Sequence, residues 1–212
     1  MTFVVTAGPT REHLDPVRFL SNPSTGRMGF AVARAARAAG HHVTLIAGPV
    51  ALKTPPGVNR VDVVSAREML AAVKKTLAEA PAGETVLVMT AAVADWRPAR
   101  CAARKMKKRE MDVTLKLVRN PDILKSLRGC AGVIRIGFAA ETGMPDAEAA
   151  RKCREKGLAL VVGNDVTRAD SGFGVATNRA VFVTPDGTVT RLPLMSKLAL
   201  ARRIVQFAAR QP

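Results

Sequence analysis

The chain has 212 residues, 48% of them hydrophobic and 24% charged, a globular composition that excludes disordered and fibrous chains. Its longest charge-free run, the 15 residues from Ala38 to Leu52, is broken by Gly and Pro and is too short to span a bilayer. The 33 Lys and Arg against 17 Asp and Glu leave a net charge of +16, which attracts nucleic acid, anionic membrane, nucleotides or phosphorylated metabolites.

Phe3–Ala7 reads as a first strand, and Gly8-Pro9-Thr10 turns out of it. Gly29–Ala39 is an Ala-rich helix with Gly40 as its C′ residue. Strands follow at Val43–Ala47 and Val61–Val64, then an amphipathic helix over Ala66–Glu79 and a strand at Val86–Thr90, apolar throughout as in strands buried on both faces. Asn120 caps a helix with Pro121 at its first position, running to Leu127. Val133–Phe138 (strand), Pro145–Lys156 (helix) and Leu158–Val162 (strand) continue the alternation. Met111–Val118 alternates as a half-buried antiparallel strand, Val181–Leu192 is a hairpin around Pro185-Asp186-Gly187, and Ser196–Ala209 is a closing helix. The expectation is an α/β chain, Rossmann-like and doubly wound, with a mostly parallel sheet and an added antiparallel ribbon. Residues 1–212 read as a single domain, with no linker or repeat. No charged-then-apolar leader opens the chain, which predicts a soluble, cytoplasmic protein. Cys101, Cys130 and Cys153 are spaced too widely for a CxxC pair and read as reduced thiols.

Ligands of open α/β sheets bind at the carboxyl ends of the strands, and four such loops are rich in small or polar residues. The run Asn22-Pro23-Ser24-Thr25-Gly26-Arg27-Met28-Gly29 enters a helix and lets backbone N–H groups approach a phosphate. No Gly-Lys-Ser/Thr follows, so it is not a Walker A loop. The first glycine of the dinucleotide fingerprint and the ribose-binding acid are also absent. The second loop, Thr90 to Arg97, carries Asp95 as an acceptor for ligand hydroxyls. The third, Lys105-Met106-Lys107-Lys108-Arg109, lies in a stretch of six basic residues from Arg100 without an acid, suited to folding over a triphosphate or simply to a solvated basic face. The fourth is Val162 to Val166, with Asn164 and Asp165. His13, His41 and His42 have no nucleophile partner and no metal-ligand spacing.

Taken together, these segments resemble a known family. Thr6 to Glu12, Asp15 to Asn22, Ser24 to Gly29, Ala91 to Asp95, Lys105 to Lys108, Asn120 to Leu124, Gly137 to Thr142 and Asn164 to Val166 occur in the order found in phosphopantothenate–cysteine ligases, also called phosphopantothenoylcysteine synthetases, of coenzyme A biosynthesis. The resemblance implies a two-step ligation. A nucleoside triphosphate activates the carboxylate of 4′-phosphopantothenate and releases pyrophosphate; the amine of L-cysteine then displaces the nucleotide. The Lys-Met-Lys-Lys stretch is similar to that of bacterial members, which implies CTP as co-substrate together with Mg²⁺, whose ligands the sequence leaves unknown.

By position, Asn22 and Lys105 resemble the family's catalytic asparagine and mobile-loop lysine. Gly8, Ser24, Gly26 and Gly29 resemble the triphosphate lining. Ala91, Ala92 and Asp95 would meet the pantothenate arm and the cytidine. Pro121, Asp122, Ile123, Leu124, Phe138, Lys152, Lys156 and Asn164 resemble the remaining nucleotide-binding positions. Arg18 resembles an arginine that reaches the substrate phosphate in a neighbouring subunit's site, which implies a homodimer. Lys152 and Lys156 fall on one helix face, in keeping with a shared anionic target. The sequence departs from many bacterial members in carrying Pro23-Ser24-Thr25 where they have His-Ser. A flavin-dependent decarboxylase, fused or separate, is the implied partner; membrane and nucleic acid are not.

Two readings from other classes stand beside this one. The eleven basic against three acidic residues between Arg97 and Arg128 would serve a nucleic-acid-binding module, although 4% aromatics give few stacking surfaces. A nicotinamide-dependent reductase on the same fold is the other, weakened by the missing fingerprint.

Overall fold

The computed structural model describes residues 1–81, 85–107, 114–143, 146–172 and 174–211. Eight strands form one sheet: β1 (Thr2–Ala7), β2 (His42–Ala47), β3 (Asn59–Asp62), β4 (Thr85–Met89), β5 (Val133–Glu141), β6 (Leu160–Asp165), β7 (Ala180–Val183) and β8 (Val189–Arg191). Their spatial order is 3-2-1-4-5-6-7-8. The first six are parallel, in the order of dinucleotide-binding sheets; β7 and β8 continue the sheet antiparallel, as the hairpin signal at Pro185-Asp186-Gly187 predicts.

Alternation along the strands divides the core into two layers. Phe3, Val5, Leu45, Val88, Ile136 and Val162 face helices α1 (Arg27–Ala38) and α5 (Lys197–Ala208). Val4, Ile46, Leu87 and Val161 face α2 (Ala66–Glu79), α3 (Ile123–Ser126) and α4 (Asp146–Lys156). Every residue of β4 is buried, the signature of a strand covered on both faces.

Local chemistry explains the helix starts. Ser65 accepts from Glu68 N at 3.2 Å while the Glu68 carboxylate returns to Val64 N at 2.9 Å, a capping box that starts α2 at the expected residue. Ser196 caps α5 by accepting from Ala199 N. α1 differs, because its N-cap is Gly26 in the left-handed region (φ +76°), with no side chain closing its first turn.

Two expectations need correction. Asn120 does not cap the helix that follows; Asp122 does, accepting from Lys125 N at 3.0 Å, and the helix spans only Ile123–Ser126. Of the strand expected at Met111–Val118, residues 111–113 lie outside the described ones. The described part pairs Leu117–Arg119 with Trp96–Pro98, and Leu115 and Leu117 are exposed rather than buried. Pro145, the expected first residue of α4, and Lys108 and Arg109 of the lysine stretch also lie outside the described residues.

Candidate active site

The sheet order reverses between β1 and β4, so the loops leaving these strands diverge and open a crevice at their carboxyl ends. Gly8 turns the chain at φ +78°. Ala92 N then donates to Gly8 O at 2.9 Å, and Pro9 bridges Ala92 in parallel. Thr10 Oγ1 accepts from Ala94 N at 3.0 Å, and Thr90 Oγ1 donates to Thr6 O at 2.7 Å. Across this stitched floor the Asn22 Nδ2 donates to Ala92 O (3.1 Å) and Val93 O (3.2 Å), fixing an exposed carboxamide on the wall.

The glycines here answer steric demands. A Cβ at Gly29 would lie 2.5 Å from Ala7 Cβ and 2.6 Å from Thr90 Oγ1, so α1 begins hard against β1. Around that start lies a cavity of about 120 Å³ lined by Ser24 to Gly29, Asn164 and Lys197, among others. It shares Ala91, Ala92, Phe138 and Ala140 with a cleft of about 910 Å³ that extends past Asp95 and Pro121–Leu124 to α4.

The cleft's charges come as pairs. Lys152 Nζ meets Glu141 at 2.8 Å and Glu148 at 3.6 Å; Lys156 Nζ meets Asp122 at 2.8 Å. The Arg151 side chain holds the Glu148 carboxyl at about 2 against the opposing effect of burial, with Lys152 assisting. Burial would raise Asp122, but Lys156 and the Lys125 N–H outweigh it and hold that carboxyl low. Asn120 joins the β4 loop to the α3 segment: its Nδ2 donates to Ala94 O at 2.8 Å and its backbone N–H to Asp95 O.

The lysine stretch approaches from one side. The Asp15 side chain is closed to solvent and accepts from Val17 N, Arg18 N, the Arg18 guanidinium and Met106 N. Ala102 N donates to Leu14 O at 2.8 Å, a second tether. Lys105 is exposed on this tethered segment.

Of the expected site residues, Asn22, Ser24, Gly26, Gly29, Ala91, Ala92, Asp95, Pro121, Asp122, Ile123, Leu124, Phe138, Lys152, Lys156 and Asn164 line one or both cavities. Gly8, Arg18 and Lys105 line neither; Gly8 faces Val50 and Gly48, and Arg18 is engaged by Asp15 and Met106. Asn120 reads in the sequence as a helix cap, and Asp15, Asn178 and Lys197 are assigned no site role there. Asp15 and Asn120 fall within the family-like segments, and Asp15 also opens an Asp-Pro-x-x turn; Asn178 and Lys197 carry no such signal. Among the described residues no three His, Cys, Asp or Glu side chains converge on a metal site. With Asp122, Glu141 and Glu148 taken up by lysines, these residues do not compose a resident Mg²⁺ site. No helix among the described residues is long and apolar enough to cross a membrane.

Residues 1–211 match the family described as "DNA/pantothenate metabolism flavoprotein C-terminal domain". The coenzyme A biosynthesis bifunctional protein CoaBC of Bacillus subtilis is 45% identical over 97% of this chain and 50% of its own length. That of Escherichia coli is 41% identical over the same 97% and 50%. The chain thus spans about half the length of the curated relatives it matches. Among solved structures, the C-terminal domain of CoaBC superposes with a TM-score of 0.80 at 38% identity, covering 97% of this chain and 92% of that one. A structure of Cab2 in complex with phosphopantothenate-cysteine shares the fold (TM-score 0.79) at 17% identity, covering 98% of this chain and 85% of that one.

Proposed function

Since the chain belongs to the DNA/pantothenate metabolism flavoprotein C-terminal domain family, we propose that residues 1–212 form a phosphopantothenate–cysteine ligase unit of coenzyme A biosynthesis. The observation that carries this reading is a paired cavity at one switch point. A small, glycine-walled compartment at the start of α1 shares Ala91, Ala92, Phe138 and Ala140 with a cleft of about 910 Å³ at the strand ends, a volume suited to the organic parts of two substrates.

In this reading CTP enters with its phosphates toward the start of α1 and its base toward Asp95 and the α3 segment. Mg²⁺ would enter as part of the nucleotide complex and supply positive charge beside its phosphates. A carboxylate oxygen of 4′-phosphopantothenate attacks the α-phosphorus, the bond to the bridging oxygen breaks, and pyrophosphate leaves. The cysteine amine then attacks the acyl carbon; the acyl–oxygen bond breaks, CMP departs and the amine loses its proton. Asn22 serves both steps by holding the Ala92–Val93 backbone that walls the reacting centre. Lys105 supplies positive charge from its tethered segment as negative charge develops at phosphorus. Lys152 and Lys156 are held on the nucleotide side by Glu141 and Asp122. Arg18 serves the substrate phosphate of a second subunit in a homodimer, and a decarboxylase, fused or separate, is the functional partner.

The test is pyrophosphate release from CTP or ATP with 4′-phosphopantothenate and Mg²⁺, with and without L-cysteine. CTP-dependent release, with the amide formed only when cysteine is present, is the expected result. Preference for ATP would overturn the nucleotide assignment alone, and no release with either nucleotide would overturn the ligase.

A further inference from the structure

The small cavity at the start of α1 carries a charge that the fold does not balance. Lys197, the first residue of α5, is 7% exposed, and its Nζ donates to Gly172 O at 2.8 Å. Among the described residues no carboxylate pairs with it. The charge acting on it is that of Arg27, of the same sign, and burial followed by Arg27 pushes the ammonium's pKa down. Placing an ammonium where no acid answers it is costly unless something else completes the site.

The neighbours of Lys197 point the same way. Asn164, at the end of β6, is 6% exposed and lines the cavity, and among the described residues nothing hydrogen-bonds its carboxamide. Asn178 is 4% exposed, lines the same cavity and accepts from Ser171 Oγ at 2.5 Å through Oδ1, and among the described residues its Nδ2 has no hydrogen-bond partner. The first turn of α1, which has no side-chain cap, lines the same cavity. One buried cation, two carboxamides and a helix start without a side-chain cap surround a volume small beside the adjoining cleft. This is the chemistry of a compact polyanion site, not of a nucleoside.

We propose that Lys197, with Asn164 and Asn178, binds the β- and γ-phosphoryl groups of the nucleotide. Its ammonium then balances the charge that collects on pyrophosphate as the α-phosphorus–oxygen bond breaks. The assignment rests on the ligase reading for the identity of the nucleotide, whereas the polyanion pocket is open to test without turnover.

The probe is inorganic pyrophosphate, titrated by calorimetry into the full chain without CTP. Lys197→Met keeps most of the stem and removes the charge. It is expected to weaken pyrophosphate binding by about tenfold or more, the usual effect of deleting a charged hydrogen-bonding partner, with Tm unchanged or raised. Lys197→Arg is expected to recover part of the affinity. In turnover, Lys197→Met is expected to lower kcat for pyrophosphate release more than it raises KM for CTP, because the charge grows in the transition state. Should Lys197→Met fail to fold, Asn164→Asp puts a carboxylate into the same pocket and is expected to abolish binding. Wild-type affinity in the folded variant overturns the proposal, as does a wild-type chain that ligates without binding pyrophosphate. Lys197-dependent pyrophosphate binding in a chain that releases none from CTP or ATP sustains the pocket and overturns the ligase reading.

Discussion

The Asp15 carboxylate receives Arg18 through Nε at 2.9 Å and Nη2 at 2.5 Å, and the same guanidinium donates to Met106 O at 2.8 Å. Lys105 is therefore fastened, through its neighbour, to an acid with no solvent exposure. Asp15→Asn is expected to slow pyrophosphate release in the direction of Lys105→Ala. The double variant should lose little beyond the worse single change, since both act through one segment. Fully additive losses in a double-mutant cycle would separate Asp15 from the lysine.

The same acid sets a pH dependence. Burial on its own would raise the Asp15 carboxyl, but Arg18 and the N–H groups of Val17, Arg18 and Met106 outweigh it and hold the pKa well below the usual carboxylate range. A folded-state pKa depressed in this way contributes stability that is fully present above the unfolded value, about 3.9, and is lost as the pH falls from there toward the folded value. The stability difference between wild type and Asp15→Asn should thus shrink as urea unfolding is repeated from neutral pH down to about 3. A difference that stays constant would mean that the charge of Asp15 contributes nothing.

Lys105 and Asn22 should fail differently. Lys105 is exposed and has no hydrogen-bond or ion-pair partner among the described residues, so Lys105→Ala should leave Tm unaltered while cutting the first step by about 100-fold. Asn22→Asp replaces two donors by a carboxylate facing the carbonyls of Ala92 and Val93. It should shift the wall itself, lowering both pyrophosphate release and amide formation. Quenched-flow measurement of each step distinguishes the two variants, and wild-type rates for Asn22→Asp would remove it from the site.

Gly48 lies where the ends of β1 and β2 meet, and a Cβ there would come 1.8 Å from Pro9 O. Because the obstacle is backbone, Gly48→Ala must displace the Pro9–Ala92 bridge. It should destabilise the fold by about 2–3 kcal/mol and lower activity with it. Gly129→Ala, whose added methyl meets nothing within 4 Å, is the control for thermal melts.

The parallel strands were legible because burial on both faces leaves uninterrupted apolar runs, as in Val86 to Met89 and Leu45 to Ala47. α2 was legible to the residue as an amphipathic stretch over Ala66–Glu79, whereas the Ser65 and Glu68 box that fixes its start came to light only in the structure. The α3 cap was misread for a definite reason: the Asn120 carboxamide is drawn away to Ala94 O and Arg97, leaving Asp122 to cap the turn. The glycine-rich half of the site showed itself because close backbone approach narrows the choice at Gly26 and Gly29. Lys197 did not. A lysine after a serine cap reads as a solvated helix start, and only tertiary packing turns its stem inward.

Helix α5 lies against α1 and begins at the residue that enters the small cavity. Filling that cavity and keeping the last helix closed are therefore linked equilibria. A ligand that binds only the closed form depletes the population in which Lys197–Ala208 has locally opened, by an amount set by its concentration relative to its dissociation constant. Amide hydrogens of α5 should then exchange with deuterium more slowly when pyrophosphate is present, although most of the chain separates them in sequence from Gly26.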